Sequence, residues 1–300
     1  MSTLPAFAAM KPLEQVAHYT PLGIRFWDLA EDRAIVDGLE VIARPTGQPH
    51  LTRWAFQTLS GVYAFHNLPG MRSLERSGPD SPAGIHVPDG SPPVSKQFIV
   101  EVIDHLTRFV PVSFVVNLPY YGIYPTSPQF SPPTNGLPGF FLFSDPSRPT
   151  LSNLAVVRAQ LLERLAPGDF VPAQHAVLVL QPTGGPVWYG IANELGNVAV
   201  LFPYPQFAGS VGPVSPPPGP PHTRVQSWDV RVRVLYRPAT QSKLDRFATH
   251  PSLGSLFAQP EAQIFPDPSG PIQLQLNSSI VLGQPLLLQT DGVSELWIRQ

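Results

Sequence analysis

Eight histidines are the side chains best suited to move protons or bind metal near neutral pH: His18, His50, His66, His86, His105, His175, His222 and His250. No two of them stand at a metal-ligand spacing. His66 alternates with Phe65 and Asn67 beside a turn and reads as a solvated or singly hydrogen-bonded side chain. The carboxylates are scattered. Asp28, Asp32 and Asp37 flank one turn, a loose arrangement for a cation, but the ligand spacing of a calcium loop is missing. They read as a solvated turn. The sequence holds no His-Glu-x-x-His pair, no Gly-x-Ser-x-Gly elbow and no phosphate-cradling glycine loop. Gly209-Ser210-Val211-Gly212 lacks the Lys-Ser/Thr that would follow in such a loop. Cysteine is absent, which removes thiolate chemistry and disulfides together. The expectation is a protein that is not an enzyme, with no catalytic, cofactor-binding or metal-binding residues and no cofactor.

Contact chemistry is better represented. Tyr120, Tyr121, Tyr124 and Phe130 lie in a turn-rich stretch, and tyrosine is favoured at protein interfaces. They form the candidate protein-interface residues; the alternative is that they fold back on their own domain. Trp27, Trp54, Trp188, Trp228 and Trp297 mostly fall in apolar alternation and are expected in the core. Charged residues make up 13% of the chain, about half the usual share. The net charge is −2, and no basic stripe could track a phosphate backbone, so nucleic acid is not an expected partner. A weakly charged surface suits contact with other proteins. The first twenty residues lack a basic leader and an apolar core, so no signal peptide is expected. No apolar run of 18 residues occurs, so no direct membrane insertion is expected. The expected location is cytoplasmic, within an assembled particle.

The elements that position these residues are short. The chain has 39 prolines among 300 residues, and proline is excluded from helix interiors and central strands. An all-β fold of short strands and long Pro-rich loops follows. Strands are expected at 22–29, 37–45, 51–59, 96–104, 109–119, 140–144, 154–163, 174–182, 187–193, 197–205 and 226–238, with one short helix at 252–258. In the 226–238 stretch Trp228, Val230, Val232, Val234 and Tyr236 share one face, and Asp229, Arg231 and Arg233 the other, as in a sheet with one wet side. Long polar loops are expected at 71–95, 120–139 and 208–223. The domain reading is an N-terminal arm at 1–20, a β-sandwich at 21–146, a second at 150–238 with the Pro-rich linker 208–223 inside it, and a C-terminal β segment at 239–300.

Residues 39–70 and 176–205 form a weak internal repeat of strand, Pro-Thr-Gly turn, strand, glycine turn, strand. Its first copy ends in Gly61-x-Tyr63-x-Phe65-x-x-Leu68-Pro69. That signature resembles the carboxypeptidase regulatory-like and prealbumin-like β-sandwich family. The second copy, with Gly196, Val198, Val200 and Phe202-Pro203-Tyr204-Pro205, matches it loosely. The resemblance implies tandem Ig-like or prealbumin-like sandwiches. Glycine would supply a positive φ in the hairpin turn, the alternating aromatics would fill the core, and Leu-Pro would leave the sheet. Hydroxyisourate hydrolases of the prealbumin fold end on Tyr-Arg-Gly-Ser. Here Tyr236-Arg237-Pro238 keeps only Tyr-Arg and lies mid-chain, which argues against that activity.

Residues 22–45, 98–119, 155–163, 175–180, 190–205 and 227–238 also resemble bacterial β-sandwich proteins encoded with contractile injection systems, the phage-tail-like machines. That resemblance implies a non-enzymatic structural component, near the baseplate, whose partners are other subunits such as baseplate or sheath proteins. The alternative is a surface-exposed ligand- or carbohydrate-binding module, which would present a row of exposed Trp or Tyr on one sheet face.

Overall fold

The computed structural model describes residues 20–71, 95–118, 123–124, 139–150, 152–205 and 226–300. The N-terminal arm and nearly all of the three expected loops lie outside them. The described chain is all-β, with one helical turn of note.

Eleven strands build the first half: β1 Gly23–Ile24, β2 Phe26–Asp28, β3 Arg33–Ala34, β4 Leu39–Pro45, β5 Arg53–Trp54, β6 Phe56–Gln57, β7 Tyr63–Ala64, β8 Lys96–Asp104, β9 Val112–Leu118, β10 Ile123–Tyr124 and β11 Phe140–Leu142. They form one sheet in the order β5-β4-β8-β9 and two smaller ones, β10-β1-β7-β6 and β11-β2-β3. Val41, Ala43, Phe98, Val100, Val102, Phe114 and Val116 face Ile24, Phe26, Tyr63, Phe65 and Phe140 across a single core. Phe65 is fully buried, and Phe26 meets both Tyr63 and Phe140 edge to face.

Ten strands build the second half: β12 Leu154–Ala166, β13 Asp169–Pro172, β14 Val177–Pro182, β15 Trp188–Ile191, β16 Asn197–Pro203, β17 Ser227–Leu235, β18 Gln263–Phe265, β19 Leu276–Val281, β20 Leu286–Leu288 and β21 Leu296–Arg299. The helix α1, Leu253–Phe257, precedes β18 and is capped by Ser252, whose side chain accepts from Ser255 N. One sheet runs β15-β14-β17-β19. The other is organised on β12, which pairs with β16 and β20 along its first part and with β13 and β21 further on. The stretch after 238 is therefore woven into the second half: β19 pairs with β17, and β20 and β21 pair with β12. On β17 the expected alternation holds, with Val230, Val232, Val234 and Tyr236 buried.

The repeat has a hydrogen-bonded basis. In both copies Pro-Thr-Gly makes a tight turn closed on the proline carbonyl, by Gln48 N to Pro45 O at 3.1 Å and by Gly185 N to Pro182 O at 3.0 Å. Gly47 and Gly184 carry the positive φ, +75° and +74°. The glycine turns match as well. Gly61 N donates to Thr58 O and Gly196 N to Asn193 O, both at 3.0 Å, and both glycines lie near φ +75°. These are three-residue hairpin loops whose last position requires the left-handed region. A Cβ on Gly196 would also fall 2.3 Å from the Leu161 carbonyl oxygen.

One strand departs from one-sided burial. On β14, Leu178 and Leu180 enter the core of the second half, while Val177 and Val179 enter the core of the first. The continuous apolar run Val177-Leu178-Val179-Leu180 is the sequence form of a strand covered on both faces.

Two substitutions check these assignments in chemical denaturation. Phe65→Ala should cost about 3–5 kcal/mol, as aromatic truncations in filled cores do. Gly196→Ala should cost more than about 1 kcal/mol, since it adds a forbidden φ to a backbone clash.

Candidate functional site

The five tryptophans do not all join the core. Trp188 is buried, whereas Trp54 is 64% exposed. Trp54 pairs with Ile42, which faces away from the core that takes Val41 and Ala43. The chain from Arg53 to Gln57 crosses from one sheet to another: β5 pairs with β4, and β6 pairs with β7. Trp54 and Phe56, two residues apart, both end on the outer side. Val36, Leu59, Ile103 and Leu106 are exposed as well, Leu59 completely, at the tip of the glycine turn.

Polar contacts accompany these side chains at the surface. Trp54 Nε1 donates to Glu40 Oε1 at 3.1 Å, and His105 Nε2 lies 2.9 Å from Glu40 Oε2. Ile103 sits opposite Glu40 in the β4–β8 register. Gln57 Nε2 donates to the Val36 carbonyl. The His66 ring stacks on Phe56 with centroids 4.3 Å apart, so this histidine takes part in the aromatic face. A large indole held in one orientation loses little rotamer freedom on binding.

The second notable site is the seam between the halves. Residues 241–252 run as a strap from the second half across the outer face of β4, β8 and β9. Arg44, itself 2% exposed, makes a two-pronged pair with Asp245: Nη1 donates to Oδ2, and Nη2 to Oδ1 at 3.0 Å. Glu101 Oε2 lies 3.8 Å from Arg44 Nη2, and Glu101 Oε1 accepts from Thr249 N. Asp245 also accepts from the backbone of Gly47, Phe247 and Ala248. The hydrogen bonds from Arg44 hold its carboxyl well below the usual carboxylate range. Ser113 Oγ donates to the carbonyls of His250 and Pro251, and the strap then delivers Leu253 and Leu256 into the first core.

A second buried arginine lies in the chain between the two halves. Arg148 donates to Asp28 at 2.5 and 3.2 Å, to Glu31 at 2.6 Å and to Ser144 Oγ at 3.1 Å. Arg158 of β12 donates to the carbonyls of Pro146 and Arg148.

The acidic trio of the sequence does not converge. Asp28 is buried against Arg148, Asp32 accepts from Trp27 Nε1, and Asp37 pairs with Arg108. Among the described residues no group of three His, Asp or Glu is placed to hold a metal. Of the aromatic stretch, Tyr120, Tyr121 and Phe130 lie outside the described residues. Tyr124 is in β10, whose backbone pairs in parallel with β1 opposite Ile24. No described helix is long and apolar enough to cross a membrane.

No protein-family model matches the chain, and no curated protein matches it. Among solved structures, the Bacillus anthracis TIE protein is 9% identical at a TM-score of 0.21, over 89% of this chain and 44% of its own. This chain thus spans less than half of that protein. A C-terminal fragment of the pilus adhesin SpaC from Lactobacillus rhamnosus GG is 8% identical at a TM-score of 0.20, over 93% of this chain and 96% of its own. Likeness at that level identifies no shared fold.

The seam yields a prediction. Asp245→Ala leaves the Arg44 guanidinium buried without its two-pronged partner and should lower stability by about 3 kcal/mol. The pH sign follows from the depressed carboxyl. Its contribution is complete above the unfolded carboxylate value of about 3.9 and is lost as pH falls below it. Denaturant midpoints of wild type and Asp245→Ala should therefore converge in strong acid and diverge at neutral pH.

Proposed function

We propose that this chain is a non-enzymatic structural component of a phage-tail-like contractile injection system, acting through protein–protein contacts at or near the baseplate. The observation that carries the contact role is the outward face of Trp54, Phe56, Leu59, Val36, Ile103 and Leu106. Large apolar side chains left outside, a tryptophan among them, are the residue types of which interface hot spots are made. The type of assembly rests on the sequence resemblance alone. Its partners are other subunits of the particle, and it is assembled in the cytoplasm. The stretch bearing Tyr120, Tyr121, Tyr124 and Phe130 is a second proposed contact.

One observation favours a second reading, a carbohydrate-binding module. The Trp54 ring is exposed and clamped by Glu40, and Phe56 stands two residues away on the same side. Such a platform can stack on the apolar face of a sugar ring.

The experiment compares wild type with the Trp54→Ala/Leu59→Ser double variant in cells that produce the particle, and tests both on immobilised glycans. Surface changes of this kind should alter stability by no more than about 0.5 kcal/mol each. Loss of the variant from purified particles, with no glycan binding by either protein, supports the assembly role. Glycan binding that the variant loses, with no association with a particle, supports the second reading and overturns the first.

A further inference from the structure

The sheet β15-β14-β17-β19 ends on β19, whose outer side is a hydrogen-bonding rim. Leu282 N donates to the Gln226 carbonyl at 2.9 Å. That bond sets the phase of the ladder, so Leu276, Ser278 and Ile280 turn their backbone groups toward β17. Asn277, Ser279 and Val281 turn theirs away from it. The other side of β17 agrees, since Thr183 N donates to Asp229 O at 2.9 Å. Among the described residues no strand pairs with the outer rim of β19. Other edges of the two halves are blunted. β9 is bridged at Ser113 by Ser252, β18 is bridged at Ile264 by Gln273, and β13 ends on Pro172. β19 has no such device. It contains neither proline nor charge, and no residue from 268 to 290 is ionisable. Its flanks are apolar instead: Leu274 is 54% exposed and Leu282 47%. An open, uncharged edge is a template for a further strand.

We propose that β19 is a dimerisation edge, which takes β19 of a second copy of this chain in an antiparallel pair across a twofold axis at Ser279. The strand is complementary to itself in that arrangement. Ser279 stands opposite the partner's Ser279, and Asn277 opposite the partner's Val281. Each outward N–H then meets an outward carbonyl. The Val281 carbonyl already accepts from Gln284 N in the following turn and keeps a second lone pair for this. On the other face of the strand Leu276 comes opposite the partner's Leu282, which covers an exposed leucine at each end. Ser278 comes opposite the partner's Ile280. No like charges meet, because the strand carries none. The same patch serves both copies, so the contact closes on itself and leaves neither rim open. The two four-stranded sheets become one continuous sheet. This edge belongs to a different sheet from Trp54 and does not rest on the contact face.

Sedimentation velocity of the full chain tests this, with wild type, Ser279→Pro and Trp54→Ala/Leu59→Ser compared over a range of concentrations. Wild type should dimerise, and Trp54→Ala/Leu59→Ser should dimerise equally well. Ser279→Pro removes an outward N–H that the β17 ladder does not use. The pair loses its two central hydrogen bonds, and dimerisation should weaken at least about tenfold. Introduced thiols read the register without relying on that variant, since the chain has no cysteine. Oxidised Ser279→Cys should form a disulfide-linked dimer, because Cα atoms directly opposite in such a pair lie about 5.5 Å apart. Asn277→Cys should not, since the partner's position 277 is displaced along the strand by roughly 13 Å. A monomeric wild type, open-ended oligomers in place of a dimer, or equal crosslinking of the two thiol variants overturns the proposal. So does a dimer that survives Ser279→Pro or is lost in Trp54→Ala/Leu59→Ser.

Discussion

Val177 and Val179 leave β14 on one side and Leu178 and Leu180 on the other, and each pair is buried in a different core. A strand with no wet face obliges its neighbours. At β14 the sheet β15-β14-β17-β19 is covered on both faces, and the first half cannot be removed without exposing two valines and Ile191. The buried arginines follow from the same constraint. Once the halves are pressed together, the polar groups caught along the junction must be paired, because an isolated buried charge is far more costly than a paired one. Arg44 meets Asp245 and Glu101, and Arg148 meets Asp28 and Glu31.

This inward use of charge bears on the surface. The chain has few ionic side chains for its size, and several of its arginines are directed into the junction. What remains outside at β5 and β6 includes Trp54 and Phe56, the former hydrogen-bonded to Glu40, which also meets His105. A body joined by its polar groups and exposed by its apolar ones is suited to standing among other proteins. That is the physical content of the assembly reading, and it asks for no reacting group.

Much of the architecture was legible from local pattern. The alternation on β17, the unbroken apolar run of β14 and the paired Pro-Thr-Gly and glycine turns are decided within a few residues, and the structure keeps them. The site was much less so. Trp54 sits in apolar alternation like the buried Trp188, and its pairing with Ile42 on β4 sets it on the side away from the core. Arg44 and Asp245 are 201 residues apart, and nothing near either one announces the other. The three aspartates read as a solvated turn, but Asp28 is buried against Arg148, and each of the three has a separate partner. Tyr124 is placed only as a strand residue, and the other aromatics of its stretch lie outside the described residues.

The central claim is that the two halves are one cooperative body, joined through β14 and the strap. Scanning calorimetry of the full chain at pH 7.5 tests it most directly. The account predicts a single transition in which the calorimetric and van't Hoff enthalpies agree, as for an all-or-none domain. Two resolved transitions, or a calorimetric enthalpy near twice the van't Hoff value, would show that the halves unfold independently and would contradict it.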